Sequence, residues 1–230
     1  MKKKITKIIF AITLCLLSIT FFPKNVFAAS GNIRVYYYEE EGYASREPTY
    51  TYTYNQMNPL GITVTSHFGN SSIESHLKTS DILVVHNHGA PGLQKLGVND
   101  GIVGQNGNGT TLKSVNTMTT NFGKDLLIAI YYGCQTGNTS SSYGDLMNWT
   151  VSKFAKSSIA WTVDTYIGDV NVWNRYFFEK AKTLTGTGST AISYADTKLA
   201  AINGTTAGSR MKNNRVSRGS LTWNFASFNL

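Results

Sequence analysis

Two uninterrupted apolar runs constrain this chain more than any other feature. Asp81–Val85 (DILVV) is apolar after its first residue, and Leu126–Tyr132 (LLIAIYY) carries no charged or amide side chain. A strand with one wet face alternates polar and apolar residues. A continuous run belongs to a strand covered on both faces, which places both segments inside a mostly parallel sheet. The rest of the chain fits around them. Asn32–Glu39, Gly61–His67, Ser158–Val163 and Leu221–Phe228 have strand character, and Ser71–Lys78, Ser142–Lys156, Val170–Leu184 and Ser189–Ile202 have helical spacing. Tyr50–Tyr54 (YTYTY) alternates aromatic and threonine, as an edge strand or an exposed aromatic loop would. The stretch from Gly89 to Thr120 is rich in Gly, Asn and Thr and reads as loop, with Val103–Thr120 a substrate-side flap, an activation loop or a mobile polar connection. Strands alternating with helices imply an α/β architecture, a mostly parallel sheet flanked by helices. No repeat or linker divides residues 29–230, which read as a single domain.

The first 28 residues read as a signal peptide. MKKKITK is a basic start, IIFAITLCLLSITFF an apolar stretch, and Val26 and Ala28 stand at the −3 and −1 places of a small-residue cleavage site. The apolar stretch is shorter than the roughly 18–20 residues that span a bilayer, and no second segment approaches that length, so no stable membrane anchor is expected after leader removal. Cys15 lies inside the apolar stretch and reads as part of the leader. Losing Lys2, Lys3, Lys4, Lys7 and Lys24 takes the formal charge from +8 to about +3. The basic excess is therefore mostly a property of the leader, and no nucleic-acid partner is implied. Arg210, Lys212, Arg215 and Arg218 remain as a loose basic cluster, read as a solvated turn before the last strand. Leader removal also leaves Cys134 as the only thiol. In a secreted chain such a thiol is buried and inert, paired with another molecule, or chemically used.

In open α/β sheets, sites form beyond the carboxyl ends of strands. The two apolar runs continue as DILVVHNHGAPG (81–92) and LLIAIYYGCQTG (126–137). If the strands are parallel neighbours, His88 and Cys134 arrive at one edge. A thiolate is the attacking form of cysteine, and an adjacent imidazole governs its proton and protonates a leaving amine. Gly89 and Gly133 allow tight turns and close approach of backbone. N–H groups freed in such turns suit a developing oxyanion.

This order of residues resembles the caspase-like cysteine peptidases, the group of gingipains, clostripain, legumain, caspases and CHAT domains. In those proteins an apolar strand ends in His-Gly and a later one ends at the nucleophilic cysteine. The likeness continues through Gln135-Thr136-Gly137, DLMNWTVSKFAKS, SIAWTVDTY, VWNRYFFEKA and STAISYADTKLA, covering about residues 80–202. The resemblance implies a three-layer caspase-like fold and hydrolysis of a peptide or protein substrate through an acyl-enzyme on Cys134. It makes His88 the general acid and the N–H groups of Gly89 and Cys134 the oxyanion donors, with no metal or cofactor required. Clostripain-like members that cut after Arg or Lys carry an aspartate two residues before the cysteine. Tyr132 stands there in this chain. Asp164 or Asp169 is the alternative source of an acidic pocket, and Trp161 and Tyr166 of an apolar one. Asn87 and Gln135 flank the pair and are placed to hydrogen-bond substrate.

Other readings stay open at this level. His86-Asn87-His88 puts two imidazoles on one face of an extended strand, which begins a zinc site if His67, His76, Asp81 or Asp100 supplies a third ligand. Alternatively His86 packs below the site or orients the His88 loop. A non-catalytic binding module would use an aromatic edge at Tyr36–Tyr38 and Tyr50–Tyr54. Oligomeric state is not legible in the sequence.

Overall fold

The computed structural model describes residues 31–37, 46–69, 73–105, 107, 111–118 and 126–226. The expected signal peptide lies outside them. The chain begins with β1 (Asn32–Tyr37), α1 (Glu47–Met57), β2 (Thr63–His67), α2 (Ile73–Thr79) and β3 (Ile82–His86). Four short strands follow: β4 (Gly89–Ala90), β5 (Leu93–Lys95), β6 (Gly101–Val103) and β7 (Leu112–Ser114). Then come β8 (Ile128–Tyr132), α3 (Leu146–Lys153), β9 (Ser157–Trp161), α4 (Ile167–Ala181), α5 (Gly188–Asn203), α6 (Thr205–Asn213) and β10 (Arg215–Gly219).

The main sheet has the order β10-β9-β8-β3-β1-β2. Its pairings are parallel except for β10, which runs antiparallel to β9 at one edge. The two apolar runs are thus β3 and β8, neighbours in the centre of the sheet. Every residue of both is buried, because each face has a layer against it. On one face Ile33, Val35, Val84 and Ile130 pack with Val170, Phe177, Leu199 and Met211 from α4, α5 and α6. On the other, Tyr36, Leu83, Val85 and Ala129 pack with Leu77 of α2, Leu146 of α3 and Ile102 of β6. Full burial of a large apolar side chain stabilises by about 1.5–3 kcal/mol. Both faces draw on that term, so the central strands are the best-anchored part of the sheet.

Three expectations need correction. Tyr50–Tyr54 is neither an edge strand nor a loop; it lies in α1. Pro48 sits in the first turn, where its fixed φ favours helix and its missing N–H costs nothing. The buried face of α1 is Thr49, Thr53 and Met57, a helical spacing whose polarity hides it from a hydrophobicity pattern. The final strand is Arg215–Gly219, not Leu221–Phe228; Asn224 makes only an isolated bridge to Thr187, and 227–230 lie outside the described residues. The basic cluster is not a turn, and it is solvated only at Lys212 and Arg218. Arg210 belongs to α6 and pairs with Asp169, and Arg215 of β10 pairs with Asp196 at 2.9 Å. The loop-rich stretch after Gly89 folds in its described part into a small second sheet, β4-β5-β6-β7.

Candidate active site

Register brings the two strand ends together. β3 pairs with β8 so that His86 lies opposite Tyr132. His88 and Cys134 each stand two residues further on, leaving strands about 4.8 Å apart. Both side chains are half-buried, and both line one cleft of about 320 Å³ with His86, Asn87, Tyr132 and Asp164 among its walls.

The two loops are locked to each other. A Cβ on Gly89 would overlap Thr136 Oγ1 and stand 3.0 Å from the Cys134 carbonyl oxygen and 3.1 Å from Gly133 Cα. A Cβ on Gly133 would meet Gln94 Oε1 at 2.5 Å and Thr136 Oγ1 at 2.6 Å. The two glycines are therefore required by close approach. Gln94 and Thr136, both fully buried, fill the space between. Gln94 Nε2 donates to the carbonyls of Asn87 and His88 at 3.1 and 3.2 Å, and Thr136 Oγ1 donates to Gln94 Oε1 at 3.2 Å. One polar bridge thus ties the His88 loop to the Cys134 turn.

The Cys134 turn is also fixed from its other side. Gln135 N–H donates to the Val163 carbonyl at 3.1 Å and Gly137 N–H to that of Trp161 at 2.9 Å. Gln135 itself has φ +57, a left-handed conformation that costs a side-chain-bearing residue roughly 1–3 kcal/mol and persists where surroundings dictate it. Its side chain reaches Asp164 Oδ1 at 3.2 Å, so two expected substrate contacts bind one another at the cleft rim. Of the two expected oxyanion donors, the direction of the Gly89 N–H follows from the ladder beside it. Lys95 N–H donates to the His88 carbonyl at 2.9 Å. Gly89 and Gln94 are therefore a non-hydrogen-bonded pair of the β4–β5 ladder, and the Gly89 N–H is directed away from β5.

His86 is buried behind His88. Its Nδ1 lies 2.6 Å from Thr49 Oγ1, and Thr49 donates its proton to Asn171 Oδ1 at 2.9 Å. The imidazole therefore supplies the N–H of its own bond to Thr49. Burial, reinforced by the positive charge of Arg46, pushes the His86 pKa from 6.5 down to about 3. Below pH 6.5 the unfolded chain takes up a proton that the buried ring refuses, so stability present above that pH is lost as pH falls toward 3. The loss expected from His86 across the whole window is ~5 kcal/mol. Urea unfolding at pH 7 and pH 4.5 checks this. A lower midpoint at pH 4.5, with part of the difference removed in His86→Gln, is the expected result. An unchanged midpoint contradicts it.

Among the described residues the metal reading of His86 and His88 finds no third ligand. His67 and His76 lie against each other, ring centroids 4.2 Å apart, with Tyr36 and Arg34 as neighbours. Asp81 stands at the opposite end of β3, bound to the Asn32 N–H at 2.7 Å. Among the described residues no group of three His, Cys, Asp or Glu side chains is placed to hold a metal ion. The aromatic edge is also internal in part, since Tyr36 and Tyr37 are buried.

Tyr132 forms the inner wall of the cleft, stacked on Trp161 at 5.2 Å with its hydroxyl donating to Asn174 Oδ1 at 3.2 Å. Burial raises its pKa, so the position offers no negative charge. Asp169 does not line the cleft. It is bound by Arg210 and Asn203, and Arg210 lies over the Tyr166 ring at 3.7 Å. Trp173 is buried, and Arg175 lies over Tyr52 and Tyr176. Sequence reasoning missed Arg46, Thr49, Gln94, Thr136 and Asn174. They are polar residues used as internal connectors, and no periodicity marks them.

The arrangement of helices around the sheet is similar to that of known structures. The chain is similar to gingipain R, described as an Arg specific cysteine proteinase, with a TM-score of 0.57 at 11% identity over 86% of this chain and 48% of that one. This is a caspase-like fold. A structure described as a protease is similar at TM-score 0.54 and 13% identity, covering 83% of this chain and 48% of that one. The Saccharomyces cerevisiae separase-securin complex is similar at TM-score 0.53 and 13% identity, covering 89% of this chain and 13% of that one. The chain thus spans about half the length of the first two structures and a small part of the third. No family model matches the sequence, and no curated protein does.

Proposed function

We propose that the protein is a secreted cysteine endopeptidase with Cys134 as nucleophile and His88 as general acid and base. The observation that carries this reading is register: His88 and Cys134 each lie two residues beyond the paired positions His86 and Tyr132, and both line one cleft. The caspase-like fold and the cysteine proteinase among its structural relatives support it. The leader-like N-terminus supports secretion.

The chemistry follows from those two side chains. The Cys134 thiolate attacks the carbonyl carbon of the scissile bond, and the carbonyl π electrons move onto oxygen. The N–H groups of Gly89 and Cys134 stabilise that oxyanion. Collapse breaks the C–N bond as His88 protonates the departing amine, leaving a thioester on Cys134. Water then attacks the thioester carbon, giving a proton to His88, and the second collapse releases the carboxylic acid and the thiolate. Asn87, Tyr132, Gln135 and Asp164 form the substrate side of the cleft. Gln94 and Thr136 act as positioning residues, holding the two loops at fixed separation.

A diverse peptide library incubated with the purified protein tests the proposal. Cleavage at internal bonds of a defined subset is the expected result. No cleavage of any member, with Cys134 resistant to alkylation in the folded protein, overturns it.

A further inference from the structure

The polar end of the cleft is built around Asn87. The residue is 3% exposed. Its Oδ1 accepts the His88 N–H at 2.8 Å, which fixes the amide orientation, because only the oxygen accepts. The Nδ2 group is left facing the other way, and among the described residues it has no hydrogen-bond partner. A buried amide donor without an acceptor is rare in folded proteins and calls for a specific explanation. Arg46, a residue also 3% exposed, lines the same cleft, and its charge helps hold the adjacent His86 neutral. Tyr132 and Ile167 supply apolar wall. Among the described residues the carboxylate lining the cleft is that of Asp164, which is exposed and tied to Gln135.

Donors are therefore buried inside, and the acceptor is exposed and already engaged. Such a pocket satisfies a substrate side chain that ends in oxygen and leaves the buried Asn87 amide donor unpaired beside an apolar one. A cationic side chain would bring only further donors to the Asn87 amide N–H. Resting on the peptidase reading above, we propose that this cleft receives the residue preceding the scissile bond and selects a carboxylate or carboxamide side chain there, with Asn87 Nδ2 as its hydrogen-bond donor. Asn87 is then a specificity-determining residue as well as the group that orients the His88 loop. A site built to pair a polar substrate group rejects analogues lacking it far more strongly than an apolar pocket separates sizes.

The test uses the purified protein and a set of fluorogenic peptides identical except at that residue, which is Asp, Glu, Asn, Gln, Leu, Phe, Lys or Arg. Peptide acyloxymethyl ketones carrying Gln, Leu or Lys at the same place report the same preference through covalent capture. At least one oxygen-ended residue is expected to exceed Leu, Phe, Lys and Arg by tenfold or more in kcat/KM. Asn87→Asp keeps the oxygen that accepts the His88 N–H and removes the donor. In that variant the ratio of the preferred oxygen-ended substrate to the Leu substrate is expected to fall at least tenfold, mostly through KM, and the ratio of Lys to Gln to rise. Preference for Lys, Arg, Leu or Phe in the unaltered protein overturns this inference while leaving the peptidase reading intact. An equal loss on all substrates in Asn87→Asp overturns it in the same way. Neither hydrolysis nor capture of any probe overturns both.

Discussion

Replacing Cys134 by alanine is expected to lower hydrolysis of every cleaved peptide by at least ~10⁴-fold, with the thermal midpoint essentially unchanged. Both halves of that expectation have a physical basis. The thiol is half-buried at a cleft, not packed in the core, so losing its sulfur opens little cavity. The turn that carries it is held through backbone and neighbouring groups: Gln135 N–H on Val163, Gly137 N–H on Trp161, and Thr136 on Gln94. None of these bonds uses the Cys134 side chain, so the fold survives the substitution. The covalent route does not, because the other cysteine of the sequence, Cys15, belongs to the apolar N-terminal stretch and not to the cleft. A catalytically inert module gives the opposite pattern, with no hydrolysis to lose. Peptide turnover measured beside a melting curve separates the two.

The second large effect lies one residue beyond the histidine. Gly89→Ala is expected to destabilise the protein by about 2–3 kcal/mol and to reduce turnover at least ~100-fold. The added methyl would overlap Thr136 Oγ1 and crowd the Cys134 carbonyl. Thr136 cannot rotate away freely, since its hydroxyl is fully buried and bonded to Gln94 Oε1, and its β-branch restricts χ1. The clash is relieved only by moving the His88 loop and the Cys134 turn apart, which is the separation on which the proposed chemistry depends. Gly168→Ala serves as the control: an added Cβ there meets nothing within 4 Å, so stability and turnover should both hold. Equal behaviour of the two variants in a melt and an activity assay contradicts the account of the loop contact.

These two effects separate what the sequence displayed from what it concealed. DILVV and LLIAIYY revealed the buried central strands because a strand covered on both faces has no polar phase. Once those strands were parallel neighbours, the positions of His88 and Cys134 followed by counting. The helix α1 was hidden because its inner face is threonine. Thr53 bonds the Thr49 carbonyl, Thr49 bonds Asn171, and Asn174 bonds both Thr49 and Thr53. That face is satisfied by hydrogen bonds made to α4 more than 100 residues away, and no local pattern records such partners. Gln94 was hidden for the same reason: a glutamine in a Gly-rich stretch looks solvated until its partners, Asn87, His88 and Thr136, are known. The basic cluster was misread because the acids that pair with Arg210 and Arg215 stand on α4 and α5.

The central claim is that Cys134 is an activated nucleophile working with His88. Mass spectrometry of the intact protein after exposure to a thiol-directed peptide electrophile tests it most directly. The account predicts one adduct per chain, located at Cys134 by fragmentation, formed rapidly in the native protein, and strongly slowed in His88→Ala. An unlabelled Cys134 in the native protein, or labelling at the same rate with and without His88, contradicts it.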